Sequence, residues 1–456
     1  MPTRIYNGKV NIMRIIRGCH LSTAVLLMSV SAIAVQAQTQ QSWGQETAER
    51  SSALFDEIVV TARRVEETLQ DVPSIVSVLD TSTLEDANVQ TVNDFIGLVS
   101  GVTLSTTSDS DTQLNIRGLN GTRDGEASFA YVLDGVLYTN PIAINRRYTA
   151  LRQIEIVKGP QSAIYGRNAA AGAIIVNTRK PGNEFGAIAE ASYGEDNTYS
   201  VNGSVEGPIV EDRLFFRLGA DYYKSDGFYR NTFQDNSKVV DDFEEWNVNA
   251  RLVATPTDRL EIDSKFRYGE HNGGAFAGYD VVFALPAFAG ALGPTLFEDV
   301  NEHQFGFNFN NDSLRQQESI EFSTKIDYEF DFADLTVWAL YSNIQNALGH
   351  DGASGGFFDD DPTCQQSIAD LNAAGVVLPD PQFIGATPGA SFLGPFNPTT
   401  CEGTQFQIRD QEDLSFEIRL AGLAADDRLS WEVGTYFLDL NREVGVNTGL
   451  DTGDGI

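Results

Sequence analysis

The chain has 456 residues, with 31 Lys and Arg against 64 Asp and Glu, so its formal net charge is −33. So acidic a protein repels a nucleic-acid backbone, which argues against DNA and RNA as partners. Three Cys and four His occur without any CxxC or HExxH motif. A zinc or haem site therefore lacks ligands, and no cofactor is expected.

Residues 1–37 have the pattern of a secretory signal peptide. Four basic residues and no acid precede an apolar run at 21–35, and cleavage is expected after Ala37. A membrane anchor is the alternative, but the run is shorter than the roughly 20 residues that a helical span requires. Met1 and Met13 both remain open as the start of translation.

The exported chain begins with two short segments of different character. Residues 38–55 are polar, rich in Gln and Ser and without periodicity, which is typical of a flexible leader. Residues 56–64 read DEIVVTARR, a β-branched run that could add itself as a strand to the sheet edge of another protein.

Residues 65–181 alternate strand and helix signals, which predicts a small mixed α+β domain. Ser82 and Glu85 form an S-x-x-E capping box at the start of a helix, and a second helix is predicted at 91–99. Another short helix is expected between Pro160 and Gly166. Strands are predicted at 74–79, 113–117, 131–137, 153–157 and 173–178.

From residue 182 to 456 the pattern changes to a period of two, as in 260–268, where apolar and charged residues alternate. Short turns at one end of the strands and long loops at the other are typical of an outer-membrane barrel. A secreted all-β protein is the alternative, and alternation alone does not tell which face points inward. The nine predicted strands lie near 186–193, 198–206, 213–223, 246–254, 259–269, 319–329, 334–344, 413–420 and 429–440.

Several ordered motifs resemble those of the TonB-dependent outer-membrane receptors. They are DEIVVTARR, IRGLNG, YVLDGV and the long run QIEIVKGPQSAIYGRNAAAGAIIVNTRKP at 153–181. The resemblance implies a TonB box made of Asp56, Glu57, Ile58, Val59, Val60, Thr61 and Ala62. It also implies plug-domain signature residues, namely Arg117, Gly118, Asp134, Gly135, Glu155, Lys158, Gly159, Pro160, Tyr165, Gly166, Arg167 and Gly172.

The implied fold class is an α+β plug domain at 65–181 followed by antiparallel transmembrane β-barrel strands. The implied location is the bacterial outer membrane, in contact with its lipid and lipopolysaccharide, and the implied partners are TonB with ExbB and ExbD. The solute expected most often in this family is a ferric siderophore. An oligosaccharide, cobalamin or haem remains open, and a surface-binding protein without transport is a competing class.

The resemblance also suggests how a plug is held. Charged plug residues could pair with carboxylates that face the barrel lumen, with ordinary solvated charges as the alternative. The plug residues concerned are Arg117, Glu155, Lys158 and Arg167, and the lumen carboxylates are Glu261, Glu321 and Glu417.

Only about nine strands precede the last residue, whereas a plugged barrel of this family has 22. An open sheet in lipid would leave unsatisfied backbone groups at two edges. The sequence is therefore expected to be the N-terminal part of a longer transporter, or a truncated and non-functional product.

Two further predictions concern chemistry. Cys364 and Cys401 fall in one long connection of an exported protein, where a disulfide is expected and two free thiols are the alternative. No spacing singles out a catalytic carboxylate pair, and no His or Cys has a nucleophilic partner, so an enzyme is not predicted.

Overall fold

A computed structural model gives the fold of much of the exported chain. The signal peptide, the leader, Cys364 and Cys401 lie outside the described residues, so the statements about them remain predictions. The described residues are 59–61, 64, 67–70, 72, 74–106, 112–120, 126–230, 241–274, 314–350, 366, 369, 373, 403–424 and 428–450.

The N-terminal part of the described chain is a small α+β domain, as predicted. None of the helices among the described residues is long and apolar enough to span a membrane. In chain order the elements are β1 (Val59–Val60), β2 (Glu67–Thr68), β3 (Ile75–Leu79), α1 (Thr81–Asp86), α2 (Val92–Ile96), β4 (Val102–Thr106), β5 (Thr112–Ile116), β6 (Leu119–Asn120), β7 (Phe129–Leu133), β8 (Val136–Tyr138), a 3-10 helix (Pro141–Ile144), β9 (Leu151–Lys158), α3 (Ser162–Tyr165) and β10 (Gly172–Thr178).

The main sheet of this domain has the strand order β3, β9, β10, β7, β8, with β10 and β7 parallel and the other neighbours antiparallel. Its central strands are buried on both faces, as the zero exposure of the successive residues Ile156 and Val157 on β9 and Ala173 and Ile174 on β10 shows. Apolar residues at successive positions are what a doubly covered strand requires. Glu155, also on β9, has no exposed surface either, although its side chain is charged.

The prediction of one continuous strand at 131–137 is wrong. Asp134 and Gly135 have φ values of 49° and 84° and form a two-residue hairpin turn between β7 and β8. An Asp-Gly pair favours this turn because both of its central residues need positive φ. The sequence signal was present, but the apolar residues on both sides of it predicted a single strand.

The first two helices begin and end at other residues than predicted, whereas α3 lies between Pro160 and Gly166 as predicted. The cap of α1 is Asp80, whose carboxylate accepts the Thr83 N–H at 2.8 Å, so the capping box at Ser82 is wrong. The second helix is shorter than 91–99, with Asp94 accepting the Thr91 N–H at 2.7 Å.

Nine antiparallel strands follow within the described residues, each paired with its neighbours in chain order, which confirms the predicted number and sequence of strands. Most are longer than the alternation indicated. They are β11 (Gly186–Gly194), β12 (Thr198–Val210), β13 (Leu214–Ser225), β14 (Phe243–Thr257), β15 (Leu260–Gly273), β16 (Leu314–Glu329), β17 (Asp334–His350), β18 (Gly403–Ala424) and β19 (Leu429–Leu450).

The two ends of this sheet differ in the lengths of their connections. We call one end the turn end, where chain segments 211–213, 258–259, 330–333 and 425–428 join strands, and the other the loop end, where the short segment 195–197 and the long segments 226–242, 274–313 and 351–402 do so. In outer-membrane barrels the short turns face the periplasm and the long loops face outward.

The charged face of the sheet is the one that faces the plug. On β15, Asp263 is 3% exposed and the neighbouring outward Phe266 is 38% exposed. On β16, Glu321 is 3% exposed and Phe322 is 50% exposed. The outer face is therefore apolar, which is what contact with lipid requires.

Candidate functional site

The segment Val59–Thr61 lies against the plug sheet at one buried carboxylate. Val60 is fully buried, and β1 pairs antiparallel with β2. Thr61 donates its backbone N–H to both carboxylate oxygens of Glu155, at 2.9 and 2.8 Å, and its hydroxyl donates to Oε1 at 2.8 Å. We call these contacts the Glu155 latch.

Neighbouring amide side chains complete the latch. Gln153 donates to the carbonyl of Val59 at 3.0 Å, and Asn177 donates to Glu155 Oε1 at 3.1 Å. Burial raises the pKa of Glu155, and the hydrogen bonds from Thr61 and Asn177 oppose that rise. A buried carboxylate is thus held in place by neutral donors.

Arg64 connects the chain segment after the Glu155 latch to the nine-stranded sheet. Its guanidinium forms an ion pair with Glu417 of β18, whose side chain is only 8% exposed, and lies 5.1 Å from the centre of the Tyr165 ring. A shielded pair of this kind is screened little by salt. The chain that follows Thr61 is therefore held by the plug on one side and by the sheet on the other.

The hairpin turn at Asp134 makes a second contact between plug and sheet. Its carboxylate accepts the N–H and the hydroxyl of Thr178, both at 2.7 Å, and pairs with Lys265 Nζ at 2.6 Å. Arg251 lies 3.9 Å away and pairs with Asp263 at 2.7 Å. Burial acts to raise the pKa of Asp134, but Lys265 and Arg251 outweigh it and hold that pKa well below its ordinary value. We call these contacts the Asp134 clamp.

A third contact is made by Arg146 after the 3-10 helix. Its guanidinium donates to both carboxylate oxygens of Glu321 on β16, each at 2.7 Å. The two side chains are 5% and 3% exposed, and the guanidinium lies 5.0 Å from the centre of the Tyr138 ring. A bidentate pair fixes orientation as well as distance, so this contact sets the position of the plug against the sheet.

The three sheet carboxylates predicted to pair with the plug do pair with cations of the N-terminal part of the chain. These cations are not the ones that the sequence analysis named. Those cations stand in connecting segments, where no periodicity indicates the direction of a side chain. The pairs are Lys180 with Glu261, Arg146 with Glu321, and Arg64 with Glu417.

Among the described residues, the four plug residues predicted for this role have other contacts, and Arg117 and Arg167 are exposed rather than directed into the plug. Glu155 holds Thr61, Lys158 donates to the Ser100 carbonyl at 2.6 Å, Arg167 pairs with Glu126 at 2.6 Å, and the backbone N–H of Arg117 donates to the Gly101 carbonyl at 3.0 Å.

The glycines of the plug signature lie where the chain turns or approaches itself closely. A Cβ on Gly172 would lie 2.2 Å from the carbonyl oxygen of Val157, which is closer than any real contact. Arg117 and Gly118 follow β5, Gly159 and Pro160 connect β9 to α3, Tyr165 ends α3, and Gly166 and Arg167 follow it. Of the predicted TonB box, Val59, Val60 and Thr61 are described, and Asp56, Glu57, Ile58 and Ala62 lie outside the described residues.

The N-terminal domain matches a known family of domains. The family model described as TonB-dependent Receptor Plug Domain matches residues 68–173. This range runs from β2 to the first two residues of β10, so it contains four strands of the five-stranded sheet in full.

Curated relatives are similar over the same part of the chain. The vitamin B12 transporter BtuB of Vibrio vulnificus is 29% identical over 181 residues, which are 39% of this chain and 29% of the relative. The probable TonB-dependent siderophore receptor PirA of Acinetobacter baumannii is 30% identical over 236 residues, which are 45% of this chain and 30% of the relative. The chain thus spans less than a third of the length of either relative.

Solved structures share the fold over most of the chain. The ferric yersiniabactin uptake receptor FyuA from Yersinia pestis has a TM-score of 0.61 at 13% identity, covering 83% of this chain and 50% of that one. The ferripyoverdine receptor of the outer membrane of Pseudomonas aeruginosa has a TM-score of 0.60 at 15% identity, covering 87% and 48%.

A plug domain followed by an antiparallel sheet with an apolar outer face defines a class of outer-membrane receptor. The family match identifies residues 68–173 as a TonB-dependent receptor plug domain, and the chain is similar in sequence to a probable TonB-dependent siderophore receptor and in fold to a ferric yersiniabactin uptake receptor.

Proposed function

We propose that this chain takes part in the TonB-dependent import of a scarce solute across the outer membrane. TonB, energised with ExbB and ExbD, would pair with the segment 56–62 by main-chain hydrogen bonds and pull it from the turn end. Such pairing depends on extended backbone more than on side-chain identity.

The observation that carries this proposal is the Glu155 latch. It joins an extended, β-forming segment, through one carboxylate, to β9, an inner strand of the plug sheet. A pull on Thr61 therefore acts on an inner strand of that sheet. The Asp134 clamp and the Arg146 contact hold the plug to the sheet until the pull exceeds their strength.

The solute class we favour is a ferric siderophore. PirA is a probable siderophore receptor by its name, and the other two receptors described above take up ferric yersiniabactin or bind ferripyoverdine by theirs. Vitamin B12 is the second candidate, because BtuB is a vitamin B12 transporter and is similar over the plug region. Growth with defined ferric siderophores, cobalamin, haem or oligosaccharides as the limiting nutrient would separate these classes.

The TonB-coupling step is tested by Val59→Pro, with Val59→Ala as its control. Val59 is 43% exposed, so either substitution loses little packing, but proline alone removes a backbone N–H and fixes φ. We expect Val59→Pro to abolish uptake of the solute and to leave its binding unchanged, whereas Val59→Ala supports normal uptake. Uptake that survives in Val59→Pro would contradict the proposal.

A further inference from the structure

A cavity of about 100 Å³ lies between plug residues 133–149 and the plug-facing side of β13, β14, β15 and β16. We call it the plug-wall cavity. Its lining is unusually basic for a chain whose net charge is −33. Six cationic side chains line it, namely Arg146, Arg147, Arg217, Arg251, Lys265 and Arg267.

Four of these cations are neutralised by carboxylates at short range. Each forms an ion pair, either across the contact between plug and sheet or between neighbouring strands. The pairs are Arg146 with Glu321, Lys265 with Asp134, Arg251 with Asp263, and Arg217 with Glu206.

The other two guanidinium groups, those of Arg147 and Arg267, contact neutral groups. Arg147 donates to the side-chain oxygen of Gln90 and lies 4.3 Å from the centre of the Tyr223 ring. Arg267 donates to Ser319 Oγ at 2.6 Å and to the side-chain oxygen of Asn247.

One more carboxylate lines the cavity, that of Asp221, and its single charge balances only one of these two arginines. Asp221 accepts a hydrogen bond from Asn247 at 2.9 Å rather than from either arginine. Among the side chains that line the cavity, Arg147 and Arg267 exceed Asp221 by one positive charge, while Glu245, which lies outside the lining, also attracts Arg267. Guanidinium groups that are withdrawn from water beside neutral oxygens are stabilised by an anion placed between them.

We propose that the plug-wall cavity binds an acidic group of the imported solute, a carboxylate or a phosphate, through Arg147 and Arg267. This inference rests on the proposed transport function and names a chemical property of its solute. A planar guanidinium fork matches the oxygens of either anion. The cavity has room for such a group but not for a whole ferric siderophore. It therefore binds one acidic substituent of the solute beside the plug.

The test measures anion binding by equilibrium dialysis of the receptor purified from outer membranes. Labelled citrate and inorganic phosphate are the anionic probes, and methylammonium is the cationic one. We expect saturable binding of at least one anion and none of methylammonium. Citrate alone indicates a carboxylate site and phosphate alone a phosphate site.

The variants Arg147→Gln and Arg267→Gln should each weaken anion binding at least about tenfold, because each removes a charge-assisted hydrogen-bond donor. Arg267→Lys keeps the charge and should retain most of the phosphate affinity. The matched control is Arg259→Gln at the turn end, where the arginine is 56% exposed, and this variant should bind as the unmodified receptor does.

Two results would overturn the inference: no saturable binding of either anion, or an equal loss of affinity in Arg267→Gln and Arg259→Gln. Thermal unfolding shows whether Arg267→Gln still folds, and the half-buried Arg147 decides the matter if it does not. If anions bind but Val59→Pro still imports, the transport proposal fails and the site stands. If Val59→Pro stops import and no anion binds, this inference alone fails.

Discussion

Glu155 has no exposed surface, and its carboxylate belongs to β9, an inner strand of the plug sheet. Withdrawing an ionised carboxylate from water costs several kcal/mol unless new hydrogen bonds replace the lost ones. Thr61 supplies a backbone N–H and a hydroxyl for this purpose. That compensation lasts only while Thr61 stays in place, so the position of Thr61 is coupled to the interior of the sheet.

The variant Glu155→Gln should loosen the latch. It keeps the shape of the side chain but replaces one acceptor oxygen by an amide that repels the Thr61 N–H. Loss of one charged hydrogen bond is worth about 1.5–3 kcal/mol, so the open form should become roughly ten- to a hundredfold more populated. The labelling rate of a Val60→Cys thiol measures it, because residue 60 is fully buried in the latched state.

The matched control for this experiment is Glu126→Gln. Glu126 also pairs within the plug, with Arg167, but its side chain is 38% exposed. Labelling of the receptor without Val60→Cys gives the background from its native cysteines. Equal labelling rates in Glu155→Gln and Glu126→Gln would show that Glu155 does not hold the segment.

The variant Asp134→Asn should destabilise the plug in a pH-dependent way. Removing one partner of a buried ion pair costs on the order of 3 kcal/mol at neutral pH. Although burial opposes it, Lys265 and Arg251 hold the pKa of Asp134 well below 3.8. Its contribution is therefore complete above the unfolded-state pKa and is lost as pH falls from there toward the folded-state pKa.

Hydrogen exchange of the peptide containing β10 measures this difference, because Thr178 of that strand bonds to Asp134. We expect β10 to exchange faster in Asp134→Asn at pH 7, and the gap from the unmodified receptor to narrow at pH 3 after correction for intrinsic rates. A gap that stays constant or widens in acid would contradict the assigned role of the carboxylate.

At the scale of elements, the strands were predictable where burial alternates. The turn-end half of β15 falls where 260–268 predicted it, because one of its faces meets the plug and the other meets lipid. The loop-end residues of β15 to β19 were missed, and β18 begins at Gly403, well before the predicted residue 413. Residues 403–413 are polar at most positions, so the sequence there carries no period of two.

The site was predictable in its components but not in its pairings. Thr61 and Glu155 were each singled out by motif, yet the contact between them joins residues 94 positions apart. No local pattern encodes such a contact. Likewise Glu321 was expected to meet the plug, but its partner Arg146 follows a 3-10 helix whose direction only packing decides.

Gly172 is the first residue of β10, and the chain leaves no room there for a side chain. The variant Gly172→Ala would bring its Cβ against the Val157 carbonyl, which must move to accommodate it. We expect a loss of about 2–4 kcal/mol in plug stability, a size typical of backbone strain and overpacking. Urea unfolding followed by protease access to the plug measures it. Gly182→Ala is the control, since nothing lies within 4 Å of its Cβ, and equal stability of the two variants would refute the close approach.

At the scale of the whole described molecule, charge is sorted by face. Ion pairs such as Asp134 with Lys265 lie between plug and sheet, while Phe266, Phe322 and Phe416 stand on the outer face with 38%, 50% and 37% exposure. Exposure of this amount is costly in water and favourable in lipid. The same sorting explains how so acidic a chain can span a membrane, because charges on its strands are turned toward a polar interior.

The outer face can be tested with Phe322→Arg, a charge placed midway along β16. An arginine facing lipid near the bilayer midplane costs about 2–4 kcal/mol, and near an interface only about 0–1. Gln316→Arg is the matched control, because residue 316 lies on the same exposed face six residues closer to the loop end. We expect Phe322→Arg to reduce the amount of receptor in outer-membrane fractions and to lower its unfolding midpoint in detergent, with Gln316→Arg close to the unmodified receptor. If both variants assemble equally well, the apolar face does not meet lipid, and the assignment of plug side and lipid side would have to be reversed.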